Sequence, residues 1–199
     1  MTALGERLRD HLEPLRDVYV AELLRTLARE LERGGDVEVE PLERTPEGAL
    51  KRSGAMALPS RGDFRVTRNG RTLPLRAGGC GPILFEPITD AVDDLARIRV
   101  SPFLWCATEV RVLRGSGGPN WAPVRRWMLE SLLPRYGDES PDLLGVVHRL
   151  DGPTEETGAW RFRVDLGSAS VAVFAAMLEA FAATGCAEVQ VGETATAPR

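Results

Sequence analysis

The chain has 199 residues, 43% of them hydrophobic and 27% charged, with a formal net charge of -4 and a pI near 5.4. This is globular composition, long enough for one good-sized core or two small ones. It excludes a disulfide scaffold, because Cys80, Cys106 and Cys186 are odd in number, far apart and form no C-x-x-C. No apolar run approaches the roughly 20 residues of a membrane span, and the charged "MTALGERLRDHLEPLRD" lacks the apolar centre of a signal peptide. The expectation is a soluble, reduced, cytoplasmic protein. Lys51 is the only lysine among 25 basic residues, and with the wealth of Ala, Gly and Pro this reads as bias in the coding DNA.

In chain order, Leu4, Leu8, Leu12, Leu15, Tyr19, Leu23, Leu27 and Leu31 recur at three- or four-residue spacing, which predicts a helix over 3–33. Pro14 should kink or restart it, and Gly34-Gly35 should stop it. "DVEVEPL" alternates like a short strand, and the Pro-, Gly- and Ser-bearing residues up to 62 read as loop. Asn69-Gly70 predicts a two-residue hairpin, because a type I′ turn needs two residues at positive φ. That fixes the register: Arg68 faces Arg71, Thr67 faces Thr72, Val66 faces Leu73, and Phe64 faces Leu75. Phe64, Val66, Leu73 and Leu75 then share an apolar face, and Asp63 falls opposite Arg76. Pro74 marks an edge strand.

"PILFEP" reads as a short strand, "TDAVDDLARI" as a helix capped by Thr89, and "RVSPFLWCATEVRVLR" as extended with a break at Ser101-Pro102. "GSGGPN" is a connector, after which Asn120 should cap a helix to about Leu133 with Trp121, Val124, Trp127 or Met128, and Leu132 inward. "LLGVVHRL" reads as a buried strand, "DGPTEETG" as an acidic turn, and "WRFRVDL" as a strand with Trp160, Phe162, Val164 and Leu166 inward. Ser168 should cap a helix burying Val171, Phe174, Leu178 and Phe181. Gly185 should stop it, and "AEVQV" should follow as a strand parallel to 160–166.

The fold class expected is α+β: a mixed, largely antiparallel sheet with helices on one face, a C-terminal β-β-α-β unit and a long N-terminal amphipathic helix. A single domain over 1–199 is expected, with a helical segment 1–35, a β-rich middle 36–119 carrying the basic hairpin, and a helix plus β-β-α-β over 120–199.

Few motifs carry chemistry. From Lys51 to Arg76 seven basic residues meet one acid, Asp63, a local net of +6 in an acidic chain. Its one aromatic, Phe64, faces inward, so this is not the basic face with stacking aromatics that nucleic acid asks for. Segment 138–156, at -5, is a candidate to neutralise it. The loop from Gly115, Ser116, Gly117 and Gly118 to Asn120, with Arg125 and Arg126 in the helix behind it, is the best anion-site candidate, where free backbone N–H groups gather. It lacks the full G-x-G-x-x-G and any Lys-Ser/Thr pair. Asp90 and Asp94 lie one helical turn apart, but acids at a helix start complement its dipole, so no metal or other cofactor is expected. Cys106, His148 and Asp151 hold the residue types of a nucleophile, base and orienter without any spacing that demands it. Arg68, Arg71, Trp121 and Trp127 are the protein-interface candidates, since arginine and tryptophan anchor interfaces.

The leading expectation is a non-catalytic module that binds a protein partner or itself, with no nucleic-acid or membrane partner. The runner-up is a small-molecule or phosphate-binding enzyme using the 115–126 loop and helix.

Overall fold

The computed structural model describes residues 3–78, 81, 84–92, 96–134 and 142–192. Helix α1 (Ala3–Glu32) is followed by strands β1 (Asp36–Val39), β2 (Arg52–Ser53), β3 (Leu58–Pro59), β4 (Phe64–Arg68) and β5 (Arg71–Leu75). Then come β6 (Ile88–Val92), β7 (Ala96–Val100), a 3₁₀ turn (Trp105–Ala107), β8 (Thr108–Leu113) and α2 (Ala122–Ser131). The chain continues through β9 (Arg149–Glu156), β10 (Ala159–Asp165), α3 (Val171–Ala182) and β11 (Glu188–Val191). This is the α+β class expected. A six-stranded sheet runs β6-β7-β11-β8-β10-β9, a three-stranded one runs β1-β4-β5, and β2 and β3 pair by themselves.

α1 buries Leu8, Leu12, Leu15, Tyr19, Leu23 and Leu27, while Leu31 at its end is exposed. The helix runs through Pro14 without the expected break, and Gly34 takes the left-handed conformation (φ 72°) that ends it. The apolar stripe packs on α3 and the 3₁₀ turn. That packing supplies most of a helix's stability and carries it past one missing hydrogen bond.

The basic hairpin has the expected register, from Arg68 opposite Arg71 to Phe64 opposite Leu75, with Asn69 and Gly70 at φ 52° and 72°. β5 is the edge of its sheet. Of the apolar face, Phe64 and Val66 are buried, but Leu73 keeps 65% of its surface exposed.

Several expectations need correction. Ile88–Val92 and Ala96–Val100 pair as the antiparallel strands β6 and β7, in place of the expected helix capped by Thr89; Asp93, Asp94 and Leu95 lie outside the described residues. "LLGVVHRL" is strand only at its last two residues, and the segment read as an acidic turn is β9, antiparallel to β10. Ser170, not Ser168, caps α3, its side chain accepting from Val173 N–H. α2 starts two residues after Asn120, whose Oδ1 accepts the Ala122 N–H at 3.1 Å.

β10 and β11 are parallel in direction, with β8 between them and antiparallel to both. α3 buries Val171, Phe174, Leu178 and Phe181 against the sheet and against α1 and α2. Phe103, Trp105 and Phe174 stack at centroid distances of 5.3–6.1 Å. This core holds one end of β10, the 3₁₀ turn and the segment before β9 together, and the site lies there.

Candidate functional site

His148 is wholly buried, immediately before β9. Its backbone N–H donates to Asp165 O (2.9 Å), and its carbonyl accepts from Arg61 N–H (2.8 Å). The ring is thus fixed between the end of β10 and the loop before β4. A buried imidazole needs partners for both nitrogens, and carboxylates from three separate segments surround it.

Glu40 follows β1 and is fully buried. Its Oε1 lies 2.8 Å from His148 Nε2 and accepts the Ser168 N–H at 3.2 Å, while Oε2 accepts the Leu144 N–H at 2.6 Å. Glu40 also holds a left-handed backbone (φ 45°), unusual for a residue with a side chain. Its N–H donates to Asp63 O, and its carbonyl accepts from the Arg61 guanidinium. On the other side of the ring, Asp63 Oδ1 is 3.0 Å and Asp165 Oδ1 3.8 Å from His148 Nδ1. Asp63 Oδ2 accepts the Ala77 N–H at 2.8 Å.

The charges follow from this packing. Burial works to lower the His148 pKa, but the contacts of Asp63 and Glu40, with the charge of Asp165, outweigh it and push it up to about 10. For Glu40 and Asp63, burial acts upward, yet the His148 contact and local amide donors leave both carboxyls below their ordinary range. Asp165 goes the other way, raised by burial and the nearby Asp63 charge against the pull of His148. Tyr19, buried on α1, is raised by burial and by the same carboxylates.

A cavity of about 250 Å³ opens on this cluster, lined by Arg76, Cys106, Arg149, Asp151, Arg163 and Asp165. Arg76 leaves the end of β5, Cys106 comes from the 3₁₀ turn, Arg149 and Asp151 from β9, and Arg163 and Asp165 from β10. Arg149 is held by Asp151 at 2.8 Å. Arg76 and Arg163 form no ion pair among the described residues. Asp165 belongs to both the buried cluster and the cavity wall.

No family model, curated protein or solved structure matches this chain. The site's own geometry therefore carries the functional reading.

The structure brings Cys106, His148 and Asp151 into one neighbourhood, but in different relations from a nucleophile–base–orienter chain. Asp151 engages Arg149, and the groups around the imidazole are Glu40, Asp63 and Asp165. Cys186 is buried elsewhere, with its Sγ–H directed at Phe181 O. Cys80 lies outside the described residues. Asp90 sits on β6 and pairs with Arg7 at 2.7 Å, and Asp94 lies outside the described residues.

In the connector, a side chain at Gly115 would meet Gly185 O at 2.2 Å, so that glycine serves close backbone packing; Gly117 and Gly118 face open space. Asn120 N–H donates to Thr184 O. Arg125 and Arg126 lie on the outer face of α2, lining a shallow groove with Leu129, Glu130 and Leu133.

Trp127 is buried, its Nε1–H donating to Val173 O at 3.1 Å. Trp121 is half-buried, edge-on to Trp160 and Phe162. Arg68 pairs with Glu30 of α1 at 2.8 Å, and Arg65 with Glu38 of β1 at 2.7 Å. Neighbouring acids thus pair with part of the basic stretch, whereas acids of 138–156 engage Arg111, Arg114, Arg149 and Arg161. Arg71 remains exposed at the tip.

Sequence reasoning missed Glu40, Asp63 and Asp165 as partners of His148, and Arg76 and Arg163 as cavity walls. The one available signal was a histidine in an apolar run, which in a folded chain requires buried polar partners.

Proposed function

We propose that the protein binds a small anion bearing a carboxylate or phosphate group in the cavity between Arg76, Arg149 and Arg163. The carrying observation is the convergence of three guanidiniums from three strands or strand ends on one small cavity, two of them without an ion pair among the described residues. Arginine presents a planar fork of donors that matches carboxylate and phosphate oxygens. With Asp151 engaged by Arg149, the two arginines without an ion pair leave donors in the wall that an anion can meet. A volume of about 250 Å³ is below the usual range for drug-sized ligands, so the ligand is small.

The test is a thermal-shift titration with phosphate, sulfate and short mono- and dicarboxylates at constant ionic strength. A ligand at about 100 times its Kd stabilises by about 2.7 kcal/mol, which raises the Tm of a chain this size by roughly 5–11 °C. Arg76→Ala combined with Arg163→Ala should remove that shift. A shift that persists in the double variant locates the ligand elsewhere, and the 115–126 loop then becomes the place to look.

A protein-interaction reading has its own support on α2. Leu129 and Leu133 are 39% and 64% exposed beside Arg125 and Arg126, an apolar-plus-arginine surface of the kind that anchors interfaces. Light scattering that reports the same mass for wild type and a Leu129→Asp, Leu133→Asp variant, at up to millimolar protein, would rule out self-association through this face.

A further inference from the structure

We infer that Asp63, His148 and Asp165 form a binding site for one divalent transition-metal cation at the floor of the cavity. One ligand atom from each residue lies within 4.8 Å of the others. The closer separations, 3.0 Å from His148 Nδ1 to Asp63 Oδ1 and 3.8 Å to Asp165 Oδ1, resemble those between donors sharing one ion, whose metal–ligand bonds are about 2.0–2.2 Å.

The histidine is prepared as a ligand by its other nitrogen. Nε2 lies 2.8 Å from the Glu40 carboxylate, which leaves Nδ1 for the ion, and this carboxylate–histidine arrangement orients metal-bound imidazoles. Glu40 is itself fixed by the Ser168 and Leu144 amides.

A second observation comes from Nδ1, which is buried and makes no well-directed hydrogen bond, although it lies in ion-pair contact with Asp63 Oδ1 at 3.0 Å. The neighbouring oxygen is therefore poorly aligned for a hydrogen bond with the ring nitrogen. Buried polar atoms without a partner are few and call for an explanation, a bound ion among them. Charge points the same way. Three carboxylates surround one imidazole, an excess of acidic groups that a doubly charged ion would offset.

One nitrogen and two carboxylate oxygens suit Mn²⁺, Fe²⁺, Co²⁺ or Zn²⁺. Asp165 also lines the cavity, so further coordination positions open towards Cys106 and the arginines. Cys106 is not among the groups within 4.8 Å of one another, and it is not a ligand in this arrangement.

This inference does not rest on the anion reading, because the metal is titrated alone. Chelator-treated protein is titrated with Co²⁺, following its visible absorption, and with Mn²⁺, following its electron paramagnetic resonance. One equivalent should bind. Asp165→Asn, at the cavity wall and chosen because it disturbs the core least, should weaken binding by about 100-fold or more while circular dichroism stays native. Asp63→Asn should do the same if it folds. Cys106→Ser should bind as wild type does, and the Arg76→Ala, Arg163→Ala protein, which loses a positive charge near Asp63 and Asp165, should still bind one equivalent. No saturable binding below about 1 mM, unchanged affinity in a folded Asp165→Asn protein, or loss of binding in Cys106→Ser would each overturn the site.

Discussion

Gly167 passes so close to His148 that a β-carbon on it would lie 2.4 Å from the imidazole Cδ2 and 2.5 Å from Val146 O. Its φ of 53° is also left-handed. Both constraints exclude a side chain. Gly167→Ala should therefore cost about 2–4 kcal/mol, as strain and overpacking combine. Urea unfolding measures this as a lower midpoint with unchanged slope. A loss under about 0.5 kcal/mol, the range of an ordinary surface change, would mean that the loop yields easily and does not hold the ring.

Glu40 gives the strongest energetic prediction in the cluster. It is fully buried, meets His148 Nε2 and satisfies two amides. Removing one partner of a buried pair leaves the other charge uncompensated and costs about 3–5 kcal/mol. Glu40→Ala should lose that much in denaturant unfolding. Glu40→Gln, which keeps the volume and one acceptor, should lose less. Equal losses would show that packing rather than charge decides the position.

The parts of this fold legible in the sequence are those whose cause is local. The 69–70 turn fixes β4 against β5 because positive φ at two adjacent residues is a property of Asn-Gly itself. α3 and β10 carry apolar spacing that only one element satisfies. The two misread strands, β6 and β9, are the two edges of the six-stranded sheet. Edge strands bear polar and charged residues that blunt further pairing, so "ITDAV" took on a helical look and "DGPTEE" the look of a turn. Glu155 and Glu156 of β9 instead meet Arg114, Arg111 and Arg161. The site was hidden for a different reason. Glu40 and His148 are 108 residues apart, and no local spacing links them.

The hairpin tip isolates that local effect. Gly70 has φ 72° with open space around it, so Gly70→Ala meets no clash and pays only for its backbone conformation. Thermal or urea unfolding should show a loss of about 1 kcal/mol. Arg71→Glu, at the same exposed tip, should stay within about 0.5 kcal/mol of wild type. A larger loss for the arginine change would mean that Arg71 has a partner in the folded chain.

The clamped imidazole makes stability depend on pH in a defined direction. His148 moves from an ordinary pKa of 6.5 to about 10 on folding. Its contribution is fully present below pH 6.5 and is lost as pH rises towards 10, because the unfolded chain gives up that proton first. Glu40 and Asp63, held below their ordinary values, act at the other end: their contribution is present above about pH 4.5 and fades in acid. In chelator, between pH 7 and 8.5, stability should fall by about 1 kcal/mol per pH unit, or roughly 2–4 °C in Tm. The window lies below the ordinary values of Tyr19 (10.0) and Cys186 (9.0), and because burial raises both in the folded chain they add to the same fall only as pH nears those values. Differential scanning calorimetry at three pH values is enough. A Tm that is flat or rising across the window would mean that His148 is neutral in the folded protein, and the carboxylates would then need a cation of another kind to offset their charge.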